Sequence, residues 1–258
     1  MQETLKERIL NAGLIAGIPA ASEDRTLNAI KALVAGEVHA VIFPWNKQLL
    51  PMLGKIRITF PKLLVGVQGP WAQVQDALAL GGDFVASDLP EGEKDSRCFK
   101  REGNVLLAGE QEIAQCNNKL VFAADLHKGS WDVITQRAHE EIEKMLSFEL
   151  RHVGINHADE QAAARTVTLF ARAFGFPKED KGGAYFSGGC IEALKKPFHG
   201  THGHIAIATG NATSAAWYLQ QRGIALNWKT AEYTPDKKLR VIYLQEEVGG
   251  FAVHIVQK

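Results

Sequence analysis

Through the first 146 residues, short apolar runs alternate with stretches of helical period. The runs are Leu14–Ala20, Ala40–Pro44, Leu63–Val67, Phe84–Ser87, Val105–Ala108 and Leu120–Ala124, all rich in Val, Ile, Leu or Phe. Runs this short, with no polar alternation, predict strands buried on both faces, as in a parallel sheet. Between them, Ser22 precedes a segment whose Leu27, Ile30, Leu33 and Val34 form one apolar stripe, ended by Gly36. Trp71–Leu80 closes on Gly81 and Gly82, and Trp131–Leu146 turns Val133, Ile134, Ile142 and Leu146 to one side. The alternation predicts about six β/α units, a partial parallel (β/α) barrel-like domain short of the eight strands of a complete barrel.

Near Ser147 the pattern changes. A strand over Phe148–Asn156 is followed by a helix over Ala162–Phe174 and strands over Ala184–Ser187 and Cys190–Leu194. A Pro/Gly loop, Lys195–Gly203, leads to a second round: strand His204–Ala208, helix Thr213–Arg222, then strands Ile224–Thr230, Leu239–Leu244 and Phe251–Val256. Strand, helix and strands twice over reads as an internal duplication of βαβββ type, and a repeat outranks local assignments when a fold is named. The predicted class is therefore α/β followed by α+β, with domains at 1–146 and 147–258.

Four segments of the second half, in order, carry a resemblance: Arg151-His-Val-Gly-Ile-Asn156, Cys190-Ile-Glu-Ala-Leu194, Gly203-His-Ile-Ala-Ile-Ala208 and Gly250-Phe-Ala-Val-His-Ile-Val256. Together they resemble the glyoxalase-like, or vicinal oxygen chelate, superfamily. That resemblance implies one metal ligand per strand, which places the ligands at His152, Glu192, His204 and His254. Imidazole and carboxylate suit Zn²⁺, Ni²⁺, Mn²⁺ or Fe²⁺. Alternate residues of a strand share a face, so one ligand per strand can converge inside a curved sheet. The family's usual Glu at the fourth position is His254 here, which leaves Glu192 as the carboxylate for a catalytic, proton-moving role. Asn156 and Ala206 share parity with His152 and His204. Tyr185, Arg240 and Tyr243 are candidate donors to an oxygen-rich substrate, and equally candidates for packing. His157, His199 and His202 read as loop or helix-start residues, with His199 and His202 near enough in sequence to reach a substrate.

In the first half, Ala29–Ala40, Lys62–Gly69 and Ala77–Ser87 resemble the scaffold of the class I aldolases of 2-keto-3-deoxy-6-phosphogluconate and 4-hydroxy-2-oxoglutarate (KDPG/KHG aldolases). Such an enzyme needs a Schiff-base lysine and a proton-shuttling Glu. The matching positions hold Leu120 and Ile42, while Lys119 is one residue out of register and Lys128 lies beyond. The resemblance implies a shortened barrel relative, lacking its last strands and catalytically silent, with a packing, pairing or covering role.

Composition narrows the function. Lys plus Arg and Asp plus Glu both number 29, so no long-range field favours nucleic acid or an anionic membrane. No apolar run reaches bilayer length, and the mixed charges of Met1–Arg8 do not make a signal peptide. Cys98, Cys116 and Cys190 are sparse and odd in number, which suits the cytoplasm. The two resemblances together imply a metal-dependent lyase, isomerase or epimerase binding a divalent ion and a small oxo acid or hydroxy acid, through an enolate-like intermediate. The alternatives are a Schiff-base aldolase and a non-catalytic scaffold. In the glyoxalase-like superfamily the cup closes within one chain or between two, which leaves monomer and homodimer open.

Overall fold

A computed structural model describes residues 3–90, 94–235 and 238–258. Met1 and Gln2, part of the mixed-charge N-terminal stretch, lie outside the described residues. Contacts divide the chain into two units, Met1–Met145 and Leu146–Lys258.

The first unit opens on a capping box. Thr4 accepts from the Glu7 amide at 3.2 Å, and the Glu7 carboxylate accepts from the Thr4 amide at 2.7 Å, which starts helix α1 (Leu5–Ala12). Strand β1 (Leu14–Gly17), helix α2 (Glu23–Ala35), β2 (Ala40–Pro44), α3 (Leu50–Thr59), β3 (Leu64–Gln68), the short α4 (Trp71–Val74) and β4 (Phe84–Ala86) follow. Then come β5 (Cys98–Glu102), β6 (Val105–Ala108), β7 (Gln111–Asn117), α5 (Ala123–Lys128) and α6 (Trp131–Leu146).

Strands β1 to β7 form a closed barrel in chain order. Neighbours from β1 through β5 run parallel; β5–β6 and β6–β7 are antiparallel; β7 then pairs parallel with β1, Ile15 opposite Cys116. Two expectations are corrected. The sheet is closed rather than partial, and Leu120–Ala124 is not a strand. Leu120 and Val121 are buried as an apolar pair, but Phe122 is exposed and the chain turns helical at Ala123. The position beside β1 belongs to β7, which buries Ile113, Ala114 and Cys116 while Gln115 stays exposed. β7 supplies the closure, so the barrel closes with seven strands, short of the eight of a complete (β/α) barrel. Ile15, Ile42, Leu64, Phe84, Phe99, Leu106 and Ile113 fill the core. Gly66 is what admits Phe84: a Cβ there would lie 2.3 Å from the Phe84 ring.

The second unit runs β8 (Glu149–Asn156), α7 (Glu160–Phe174), β9 (Lys178–Asp180), β10 (Ala184–Ser187) and β11 (Ile191–Leu194). It repeats with β12 (Gly203–Thr209), α8 (Ala212–Gln221), β13 (Leu226–Tyr233), β14 (Leu239–Leu244) and β15 (Phe251–Gln257). Both helices start on a side-chain cap: Asp159 accepts from the Ala162 amide at 2.7 Å, and Asn211 from the Ser214 amide at 3.0 Å. The eight strands form one sheet, β13-β14-β15-β12-β8-β11-β10-β9. The first strands of the two halves, β8 and β12, meet antiparallel at its centre, which brings residues of both repeats side by side. Among the described residues no helix is long and apolar enough to cross a membrane.

Candidate functional site

The four strands β15, β12, β8 and β11 are consecutive neighbours in the second sheet, and each carries one of the four residues singled out above. Register decides how they meet. His152 on β8 and His254 on β15 both pair with Ala206 of β12. His204 on β12 and Glu192 on β11 both pair with Gly154 of β8. Two rows of the sheet therefore read His–Ala–His and Glu–Gly–His, with a small residue under the gap in each. Gly154 is required by contact: a Cβ there would sit 2.2 Å from the His204 ring. Sequence reasoning passed over it, although a glycine inside a strand pattern is a signal of close approach.

The three donor atoms nearest the centre form a triangle. His152 Nε2 and His204 Nε2 lie 3.0 Å apart, and each lies 3.0 Å from Glu192 Oε2. His254 joins them, with a ligand atom within 4.8 Å of those of His152 and His204. His204 and His254 are buried, and His152 and Glu192 are largely so. Donors at about 2.1 Å from one ion and at right angles would lie about 3.0 Å apart, while tetrahedral ones would lie about 3.4 Å apart. The three donors are close enough together for one ion to be held by all of them. His204 Nδ1 is buried with no hydrogen-bond partner among the described residues. These donors fit a divalent cation in both kind and convergence.

Electrostatics follow from burial and proximity. Burial raises the Glu192 pKa, but hydrogen bonds from His152 and His204 and their charges outweigh it and hold the carboxyl down at about 2. Burial, reinforced by the charges of His204 and His152, lowers His254 to about 4. At neutral pH Glu192 is therefore an anion and His254 a neutral lone-pair donor. Burial, with the charges of Glu192 and Glu232, pushes the Tyr243 hydroxyl up to about 12, so it stays protonated.

All four residues line a cavity of about 470 Å³, the size of a small-molecule site. His199 stands in its wall, 4.3 Å from the Phe198 ring and 4.6 Å from the Tyr243 ring, and Tyr243 lies 4.7 Å from His254. Lys229 supplies an ammonium to the lining and has no ion-pair partner among the described residues. Glu232 also lines it, and is paired to Arg240.

The other candidates fall elsewhere. Asn156 anchors the Pro/Gly loop, donating to the Gly200 carbonyl at 2.8 Å and accepting from the Phe198 amide at 3.0 Å. His157 lies between the Ile155 carbonyl and the Thr166 hydroxyl at 3.0 and 2.7 Å, a packing role. His202 meets the Phe251 ring edge-on, and the Tyr185 hydroxyl donates to Glu160 at 2.7 Å. In the first unit Ile42 and Leu120 are buried, and Lys119 and Lys128 are exposed.

No family model matches the chain, and no curated protein matches it. Solved structures do. A KDPG aldolase from Legionella pneumophila, with pyruvate captured as a covalent carbinolamine intermediate, is 15% identical with a TM-score of 0.46, covering 54% of this chain and 98% of that one. A methylmalonyl-CoA epimerase from Mycobacterium tuberculosis is 15% identical with a TM-score of 0.32, covering 44% of this chain and 89% of its own. The Streptomyces coelicolor methylmalonyl-CoA epimerase, in complex with 2-nitronate-propionyl-CoA, is 16% identical with a TM-score of 0.31, covering 43% and 94%. These are the two kinds of protein that the sequence motifs resemble. At such identities and scores the likenesses say nothing of activity.

Proposed function

We propose that the second unit holds a divalent metal ion on His152, Glu192, His204 and His254, and that this centre acts on a small oxo acid or hydroxy acid as an isomerase, epimerase or lyase. The observation that carries the reading is the triangle of His152 Nε2, His204 Nε2 and Glu192 Oε2, each 3.0 Å from the other two, on the wall of a cavity. A bound divalent ion would supply Lewis acidity, drawing charge from a substrate oxygen and acidifying the adjacent C–H bond. The chain's own residues do the rest. Tyr243 keeps its proton and donates a hydrogen bond to a substrate oxygen. Lys229 attracts the substrate carboxylate into the cavity. Phe198 and His199 wall off the reacting carbon from water. Glu192 balances the charge of the centre and, as its only carboxylate, carries the proton.

Elemental analysis of the gently purified full chain tests the reading. An equimolar amount of Zn, Ni, Mn or Fe is expected, lost in His152→Ala and His204→Ala and kept in His254→Glu. Glu192→Gln separates the two duties of that residue: metal retained with turnover lost assigns it the proton. A full chain that neither carries one of these metals nor takes any of them up saturably would leave the proposal without support.

A further inference from the structure

Strand β13 departs from a regular ladder where it borders the cavity of the metal ligands. Asn227 pairs with Tyr243 and Glu232 with Val241, so five steps along β13 answer to two along β14. In a regular strand only alternate residues share a face. Here three in succession, Lys229, Thr230 and Ala231, line the cavity. A bulge re-aims side chains in this way. It is held by its own side chains. The Thr230 hydroxyl donates to the Asn227 carbonyl at 2.7 Å and accepts from the Tyr243 amide at 3.1 Å, and Asn227 Oδ1 accepts from the Lys229 amide at 3.3 Å. Lys229 thus reaches the cavity because the strand is bulged.

The charge of the lining follows from its residues. Besides the imidazoles and the Tyr243 hydroxyl, the ionisable side chains that line it among the described residues are Glu192, Lys229 and Glu232. Glu232 is matched by Arg240, and Lys229 forms no ion pair among the described residues. Imidazoles bind a metal in their neutral form and a carboxylate binds as an anion. A divalent ion on the four ligands therefore leaves one net positive charge at the centre, and Lys229 adds a second. A monocarboxylic acid would match the first and leave the ammonium without a counter-charge. Between the two charges the wall is apolar at Leu194, Phe198, Ala231 and Val241, which suits a short carbon chain.

We infer that the substrate of this centre is a dicarboxylic 2-hydroxy or 2-oxo acid, with one carboxylate at the metal and the second at Lys229, and that the β13 bulge is the device that selects it. The inference rests on the metal-centre reading above and adds to it the charge and the two-ended form of the substrate.

Calorimetric titration of the Zn²⁺-loaded full chain with malate and with malate 4-amide tests it, since the two probes differ only in the distal charge. Malate is expected to bind about tenfold tighter or more, the scale of one hydrogen bond to a charged group. Lys229→Gln is expected to bring the ratio of the two affinities to about one with metal content unaltered, and Lys229→Arg to keep the preference for malate. Thr230→Val, which removes the hydroxyl that holds the bulge, is expected to shrink the ratio, and Thr230→Ser to preserve it. Equal affinities in the unaltered chain, or a ratio that survives Lys229→Gln, would overturn the dicarboxylate assignment and leave the metal centre standing. An undiminished ratio in a folded Thr230→Val chain would overturn the role of the bulge. Tighter binding of 3-phosphoglycerate than of malate would make the distal group a phosphate and overturn the assignment as well. A chain that takes up no Zn²⁺ overturns both readings, and that failure shows in the metal content rather than in the ratio.

Discussion

A buried ring lying on a bare backbone gives a glycine a specific job. Gly154 sits under His204 with no room for a methyl group. Gly154→Ala is therefore expected to push the His204 ring aside and to lower affinity for the metal about 10–100-fold, the scale on which supporting groups act. Calorimetric titration of the full chain would show it. An unchanged affinity would mean that the ring relaxes freely and that the triangle is not a fixed site. The same crowding has a signature in acid. In the metal-free protein His254 refuses a proton until about pH 4, against its usual 6.5. Below pH 6.5 the unfolded chain takes up a proton that the folded chain excludes, so stability is lost as pH falls from 6.5 to about 4, by up to roughly 3 kcal/mol. Urea midpoints measured across that range should fall, and should fall less in His254→Asn; parallel pH profiles for the two proteins would refute it. The ligand-type residues were legible because each is a polar residue at a fixed place in an apolar strand. Gly154 was not, because its reason is a ring from β12, fifty residues later in the chain.

Elements are legible when burial is uniform and obscure when it is not. Strands β1 to β4 are buried at nearly every position, so they stand out as apolar runs. Strand β5 reads Cys-Phe-Lys-Arg-Glu and buries Phe99 alone, and β7 exposes Glu112 and Gln115. Neither has the density of apolar residues that marks a parallel strand, because a hairpin at the rim leaves part of its surface wet. The run Leu120–Ala124 has that density and is still no strand, since two buried residues before a helix satisfy the same pattern. Packing between neighbouring strands is equally specific. Gly66 on β3 is paired with Phe84 on β4, whose ring fills the space a side chain would need. Gly66→Ala overpacks this layer and is expected to cost about 1–3 kcal/mol. The loss should appear as a lower urea midpoint at constant m-value, with metal content unaltered. A change confined to metal content would contradict the assignment of Gly66 to barrel packing.

At the scale of the whole molecule, the repeat in the second half was legible because two rounds of strand, helix and strands check each other. The barrel's closure was not, because the pairing of β7 with β1 joins residues about a hundred apart and leaves no local mark. All the ligand-type residues, and every described residue around their cavity, come from between His152 and His254. The sheet that positions them begins at Glu149 and is completed within the same unit, and both of its helices have their own caps. A polypeptide of residues 147–258 is therefore expected to fold alone and to bind one equivalent of metal, with the same dependence on His152 and His204 as the full chain. Dispersed amide resonances and a matching calorimetric stoichiometry would establish this. A fragment that folds but binds no metal would move the centre's completion into the barrel or a partner molecule. An unfolded fragment would make the barrel part of the second unit's stability, and the two would then have to be treated as one cooperative system.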